Sequence, residues 1–366
     1  MRTLLTAALF LGLTFAVIAD DPKPAVPAKK VEAPAKPAVK AKAEVTLKVG
    51  DAAPKLAATK WLQGKEVTSF EKGKVYVVEF WATWCGPCIV MMPHMAEMQE
   101  HLRDKGVTFI GFSSKDPNNT QEKVAAFVEK RGKKLGYTFA YADDRETNNA
   151  WMQAAGRNGI PCCFVVDKDS KIAWIGHPMY LDMVLPKVVA GTWKGAEETE
   201  AMDKVEADVT AVFKSFSGDP EAALKGMSDF EAKYPMLADI PYFRGPKLGM
   251  LIKTGKTAEA KKMAEGLIAK GLKQEDPIVL RTVAGGLQAA KDNKELLALG
   301  VKAAEASVKI AGDKDAQALL GLANAYFAAG DKAKAQETGK KAMAAAENDS
   351  PALKKYIEGQ VKKFDE

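Results

Sequence analysis

Cys85 and Cys88 stand two residues apart, directly after the apolar run from Val75 to Phe80, with Gly86 and Pro87 between them. A Cys-x-x-Cys pair at a strand-to-helix junction puts its first sulfur at a helix N-terminus, where unpaired N–H groups and the helix dipole favour thiolate over thiol. The second sulfur, one helical turn on, can reach the first and close a disulfide. The spacing therefore suits thiol-disulfide exchange. Its competing use is zinc ligation, which needs a second pair of Cys or His ligands. The remaining cysteines, Cys162 and Cys163, are adjacent, and His94, His101 and His177 are scattered. No metal site and no cofactor is expected.

Glu79 lies six residues before Cys85, inside an otherwise apolar run. A carboxylate in a buried strand is costly unless it is paired. Two readings stand on the residues alone: a proton acceptor for the second thiol, or a strand near an edge with Glu79 facing water. Trp81 and Trp84 flank the site, where they would shape the surface around an exposed sulfur or simply pack.

The elements that must position these groups are a buried strand over Val75 to Phe80 and a helix opening at the cysteines. From Glu79-Phe80-Trp81-Ala82-Thr83-Trp84-Cys85-Gly86-Pro87-Cys88, then Pro93, then Gly159-Ile160-Pro161 ahead of Phe164-Val165-Val166-Asp167, the chain resembles the thioredoxin superfamily. Within it the likeness is to the TlpA/ResA-like thiol-disulfide oxidoreductases of bacterial envelopes. The resemblance spans about residues 47 to 192. It implies a central sheet flanked by helices, Cys85 as the attacking nucleophile, Cys88 as the resolving thiol and Glu79 as the buried acid. It also implies a kink at Pro93 and a cis bond at Ile160-Pro161 beside the cysteines. Trp84, Gly86, Pro87, Ile160 and Pro161 would then contact substrate.

Two positions depart from the pattern. Met91 stands where the family often carries a glutamate, which leaves Glu79 as the sole acid for a proton relay. Cys162 stands where threonine often follows the proline. It is expected near the Cys85-Cys88 pair, with a redox role open to it, and Cys163 is expected on the opposite face by strand alternation. A small buried apolar role is the alternative for both.

Residues 1–19 read as a signal peptide: Arg2, an apolar core from Leu4 to Ile18, and Val17-Ile18-Ala19 ahead of Asp20-Asp21. The chain is accordingly expected to be exported, to the periplasm or cell envelope. In such a compartment four cysteines serve as reagents rather than as a scaffold. Residues 20–46 form a linker rich in Pro, Ala and Lys, too poor in apolar surface to fold. The net charge of +6 comes from lysines interleaved with acids, which reads as solvated helix faces and excludes a nucleic-acid footprint. No phosphate-binding loop, dinucleotide fingerprint or His-Glu-x-x-His motif occurs.

Past residue 195 cysteine disappears and Ala, Lys, Glu and Leu recur at helical spacing. Breaks at Ser217-Gly218-Asp219-Pro220, Thr254-Gly255-Lys256, Lys291-Asp292-Asn293 and Ala329-Gly330-Asp331 recur at intervals of about 37 residues, a period of stacked helical hairpins. Leu319, Leu322, Ala323 and Tyr326 before Gly330, and Phe230-Glu231-Ala232-Lys233-Tyr234-Pro235 earlier, resemble a tetratricopeptide repeat. An irregular bundle is the alternative. The expected organisation is an α/β thioredoxin-like fold over 47–195 followed by an all-α helical-repeat domain over 196–366. The second unit is expected to fold separately, to dock protein partners and to be dispensable for chemistry.

The function these features support is a reductase of protein disulfides, with a thiol-disulfide electron donor to recharge it. An oxidase or isomerase using the same residues, a docking scaffold with a structural redox fold, a metal chaperone and a thiol peroxidase are the competing uses.

Overall fold

The computed structural model describes residues 45–348 and 351–365. The expected leader, and the linker as far as residue 44, lie outside the described residues. The first half contains β1 (Lys60–Gln63), β2 (Val75–Trp81), α1 (Gly86–Leu102), β3 (Val107–Ser114), α2 (Gln121–Leu135), β4 (Thr138–Ala142), the short α3 (Glu146–Asn148), β5 (Cys162–Val166), β6 (Ile172–Gly176) and α4 (Leu181–Ala190). The described residues continue through the helices α5 (Ala196–Ser215), α6 (Pro220–Lys233), α7 (Pro241–Lys253), α8 (Thr257–Lys273), α9 (Pro277–Leu287), α10 (Lys294–Ala311), α11 (Ala316–Ala328), α12 (Lys332–Ala345) and α13 (Pro351–Val361). This is the expected thioredoxin-like sheet with helices, continued by an all-α region.

The strands are ordered β1-β4-β3-β2-β5-β6, with β2, β3 and β4 mutually parallel and β1, β5 and β6 joined antiparallel. β2 sits inside the sheet and every one of its residues is buried. Its alternation divides the core: Val75, Val77 and Trp81 pack on the α1 side, whereas Tyr76, Val78 and Phe80 pack on the far side. Gly111 is paired with Glu79 on β3; a Cβ there would come within 2.8 Å of the Phe139 ring. Only glycine lets β3 pass that close to the aromatic layer.

All four expected breaks in the second half fall between helices. Their chemistry is local. Asp219, Asn293 and Asp331 each accept a backbone N–H from the helix that follows, as do Asp276 and Asp315 elsewhere, which satisfies donors a helix start leaves open. Gly255 and Gly330 take positive φ at two of these turns.

The halves are not packed as independent bodies. Met91, Met92 and Met95 of α1 share one apolar core with Met202 and Val205 of α5 and Phe243 and Leu248 of α7. Polar contacts surround that seam. Glu97 on α1 accepts from Lys270 of α8 and from Gln274 just beyond that helix, Lys134 meets Glu275, and Lys187 meets Glu198 at 2.7 Å. A cleft of about 710 Å³ remains between α1 and α2 on one side and α9 to α11 on the other.

Candidate redox site

The loop from β2 into α1 is fixed by a buried polar network. Asn119 Oδ1 accepts from both the backbone N–H and the hydroxyl of Thr83, each at 2.9 Å, while its Nδ2 donates to Ser113 Oγ and Ser114 O. Ser113 Oγ donates in turn to Trp81 O at 2.9 Å. Asn119 is fully buried and uses both ends of its amide, so the network specifies one loop conformation. Sequence reasoning missed it, because no local pattern links residue 119 to residue 83.

Cys85 caps α1. Its Sγ accepts the Cys88 N–H at 3.2 Å, and the two cysteines form a disulfide with Cα atoms 5.3 Å apart. Pro87 occupies the first helical turn, where its missing N–H costs nothing. Pro93 lies inside the helix, as expected. Cys88 is fully buried and Cys85 is 3% exposed, but Trp84 at 52%, Gly86 and Pro87 are exposed beside them. The Trp84 indole donates to Asp116 Oδ2 at 2.9 Å, which steadies the ring against the surface.

Ile160-Pro161 is cis. Phe80 pairs with Cys162 across β2 and β5, so Pro161, one residue earlier, comes level with the end of β2 where the cysteine loop begins. Pro161 is buried and Ile160 partly so.

Glu79 is 1% exposed, and neither carboxylate oxygen has a hydrogen-bond partner among the described residues. Burial holds its carboxyl well above the usual carboxylate range. Of the two sequence readings, the water-facing one is thereby removed. Glu79 shares the α1 side of the sheet with Val77 and Trp81 by alternation.

The expected placement of Cys162 and Cys163 is reversed. Cys163 stands opposite Glu79 and packs in the same core as Cys85 and Cys88, whereas Cys162 stands opposite Phe80 and packs on the far side of the sheet. The reason is register: directly opposed residues share a face, and the β2–β5 register assigns Glu79 to Cys163. Cys162 therefore has no face toward the pair. Burial pushes its thiol up to about 12, and burial together with the Glu79 charge holds Cys163 well above the ordinary thiol range. Both are poor nucleophiles. Met91, in place of the family's second acid, is fully buried in the α1 core.

His94 is engaged elsewhere, bonded through Nε2 to Asp182 Oδ2 at 2.7 Å. Two residues of the site carry no sequence signal. Tyr242 of α7 donates its hydroxyl to the Pro87 carbonyl at 2.8 Å, across 155 residues of chain, and its ring meets that of His177 with centroids 5.6 Å apart. Burial lowers His177 to about 4, and its Nδ1 accepts the Met179 N–H.

The Redoxin family model matches residues 48–179, ending before the helical half. Protein FixW of Rhizobium leguminosarum is 32% identical over 155 residues, which cover 41% of this chain and 70% of FixW. The thiol-disulfide oxidoreductase ResA of Bacillus anthracis is 33% identical over 127 residues, covering 34% of this chain and 68% of ResA. The chain belongs to the ResA-like thiol-disulfide oxidoreductases. Among solved structures, a putative thiol:disulfide interchange protein DsbE from Chlorobium tepidum is 23% identical, with a TM-score of 0.32 over 39% of this chain and 99% of that one. As a ResA-like protein, this chain carries the Cys85-Cys88 disulfide at the start of α1, with Glu79 buried on the same face of the sheet.

Proposed function

We propose that this chain is an exported thiol-disulfide oxidoreductase that reduces protein disulfides. The observation that carries the reading is the Cys85-Cys88 disulfide at the start of α1, with the Cys88 N–H aimed at Cys85 Sγ and Glu79 buried on the same side of the sheet. In the dithiol form the Cys85 thiolate attacks a substrate disulfide, forms a mixed disulfide and releases one substrate thiolate. Cys88 then gives its proton to the ionised form of Glu79 and attacks Cys85 Sγ. The second substrate thiolate leaves, two electrons have passed to the substrate, and the Cys85-Cys88 bond has re-formed. A dithiol donor must restore the reduced state by the reverse exchange.

Trp84, Gly86 and Pro87, exposed beside the pair, are the proposed substrate contacts, with Ile160 and Pro161 at the start of β5. Gly-Pro between the cysteines supports the reducing direction by its likeness to reducing thioredoxins. The apolar core of residues 1–19 supports export. Residues 47–195 are proposed as the redox module and 196–366 as a tetratricopeptide-like module that docks a protein partner, on the strength of the recurring breaks and stacked helices.

The test is a trap. Cys88→Ser, reduced and mixed with a disulfide-bonded protein, is expected to accumulate a mixed disulfide through Cys85. If instead it releases reduced substrate at the wild-type rate, Cys88 is not the resolving thiol.

A further inference from the structure

Tyr242 and Cys85 are bonded to the two ends of a single peptide group. The Pro87 carbonyl accepts the Tyr242 hydroxyl at 2.8 Å, and the amide N–H on the other side of that same peptide bond, belonging to Cys88, donates to Cys85 Sγ at 3.2 Å. A peptide whose carbonyl accepts a strong hydrogen bond is polarised and becomes a better N–H donor, so hydrogen bonds in a chain strengthen one another by roughly 10–30%. The phenol is held in place by the His177 ring and by the docking of α7 on α1, whose side chains share one core.

We propose that Tyr242, supplied by the helical half, is a positioning residue for the redox centre: through the Pro87-Cys88 peptide it strengthens the hydrogen bond that holds the Cys85 thiolate. The inference rests on Cys85 being the attacking sulfur. It gives the helical half a part in the chemistry that partner docking alone does not supply. The more firmly α7 is seated, the more thiolate Cys85 carries, and any displacement of α7 weakens the nucleophile.

The ionisable groups around the pair do not imitate this effect. Glu79 and Cys163 on the sheet and Tyr137 just before β4 are biased toward their protonated forms by burial, His177 is held neutral down to about 4, and all four are unchanged in the Tyr242 variants. Tyr242 itself is also kept protonated by burial, so it acts as a donor throughout the range in which a thiol titrates.

The experiment follows Cys85 alkylation in the reduced full-length protein across pH, with the labelled residue located by mass spectrometry. Tyr242→Phe keeps the ring and removes only the hydroxyl. The thiolate fraction at a given pH below the midpoint is expected to fall about 1.3- to 4.5-fold, a 10–30% loss from a charge-assisted hydrogen bond. Fluorotyrosine incorporated at position 242, a stronger donor, is expected to move the profile the other way, and its near-native shape guards against a folding artefact. Cys85 labelling with superimposable profiles in all three proteins overturns the inference alone. Labelling of Cys88 ahead of Cys85 in the unmodified protein overturns the nucleophile assignment beneath it as well.

Discussion

Glu79 lies directly across the β2–β5 ladder from Cys163, and both side chains belong to the face of the sheet that carries α1 and the Cys85-Cys88 disulfide. The acid is buried within the sheet, with no hydrogen-bond partner for either oxygen among the described residues. A carboxyl so placed keeps its proton to higher pH than an exposed one, and its raised proton affinity brings it toward the range where a thiol gives one up.

Glu79→Gln is expected to lower the rate of disulfide reduction about 100-fold, a typical contribution of general acid-base help, with the deficit narrowing as pH rises and hydroxide takes over deprotonation. A steady-state reductase assay over the neutral to alkaline range checks it; equal rates throughout remove Glu79 from the proton path.

The same substitution has a signature in stability. A carboxyl whose folded-state pKa is raised contributes stability that is fully present below its unfolded value of 4.5 and is lost as pH rises through the folded one. Glu79→Gln should thus melt above the wild type at neutral pH, with the advantage growing as pH increases. Melts recorded from acid to alkaline pH test the sign: a difference that shrinks with rising pH contradicts the assignment.

His177 works in the opposite direction. Its folded pKa is depressed from 6.5 to about 4 by burial, so the neutral imidazole contributes stability present above 6.5 and lost as pH falls toward 4. The loss is on the order of 2–3 kcal/mol at most. His177→Asn preserves an acceptor for the Met179 N–H and is expected to flatten the acid limb of the stability profile, as read by urea unfolding at pH values spanning that window.

The shared core offers a further test. Phe243 of α7 is 2% exposed and packs against Phe213, Phe216 and Phe230. Phe243→Ala is expected to cost about 3–5 kcal/mol and, because that core continues into α1, to lower the unfolding midpoint of the redox half too. Near-ultraviolet signals from Trp81 and Trp84 report that half. If their transition stays put while the helical half melts early, the two halves are energetically separate.

Much of the site is legible in the sequence because its signals are local. The apolar run of β2, the helix-opening prolines and the Cys-Gly-Pro-Cys spacing are all encoded within a few residues, and the helix breaks of the second half carry local signals too, an Asp or Asn cap at three of them and a positive-φ glycine at Gly255 and Gly330. What the sequence hides depends on distant partners. Alternation puts Cys162 and Cys163 on opposite faces, but which face belongs to which residue is set by register against β2, and that register gives the α1 face to Cys163. Asn119 holds the cysteine loop from beyond the far end of β3, and Tyr242 reaches Pro87 from another half of the chain. Neither contact leaves a pattern at either end.

Whether this dithiol reduces protein disulfides is decided by the midpoint potential of the Cys85-Cys88 couple, equilibrated in graded glutathione or dithiol buffers. A reducing value is expected, nearer the roughly −270 mV of thioredoxin than the roughly −120 mV of a strong oxidant. A midpoint at or above about −180 mV, the level of a disulfide isomerase, would contradict it and assign the same residues to oxidation or isomerisation.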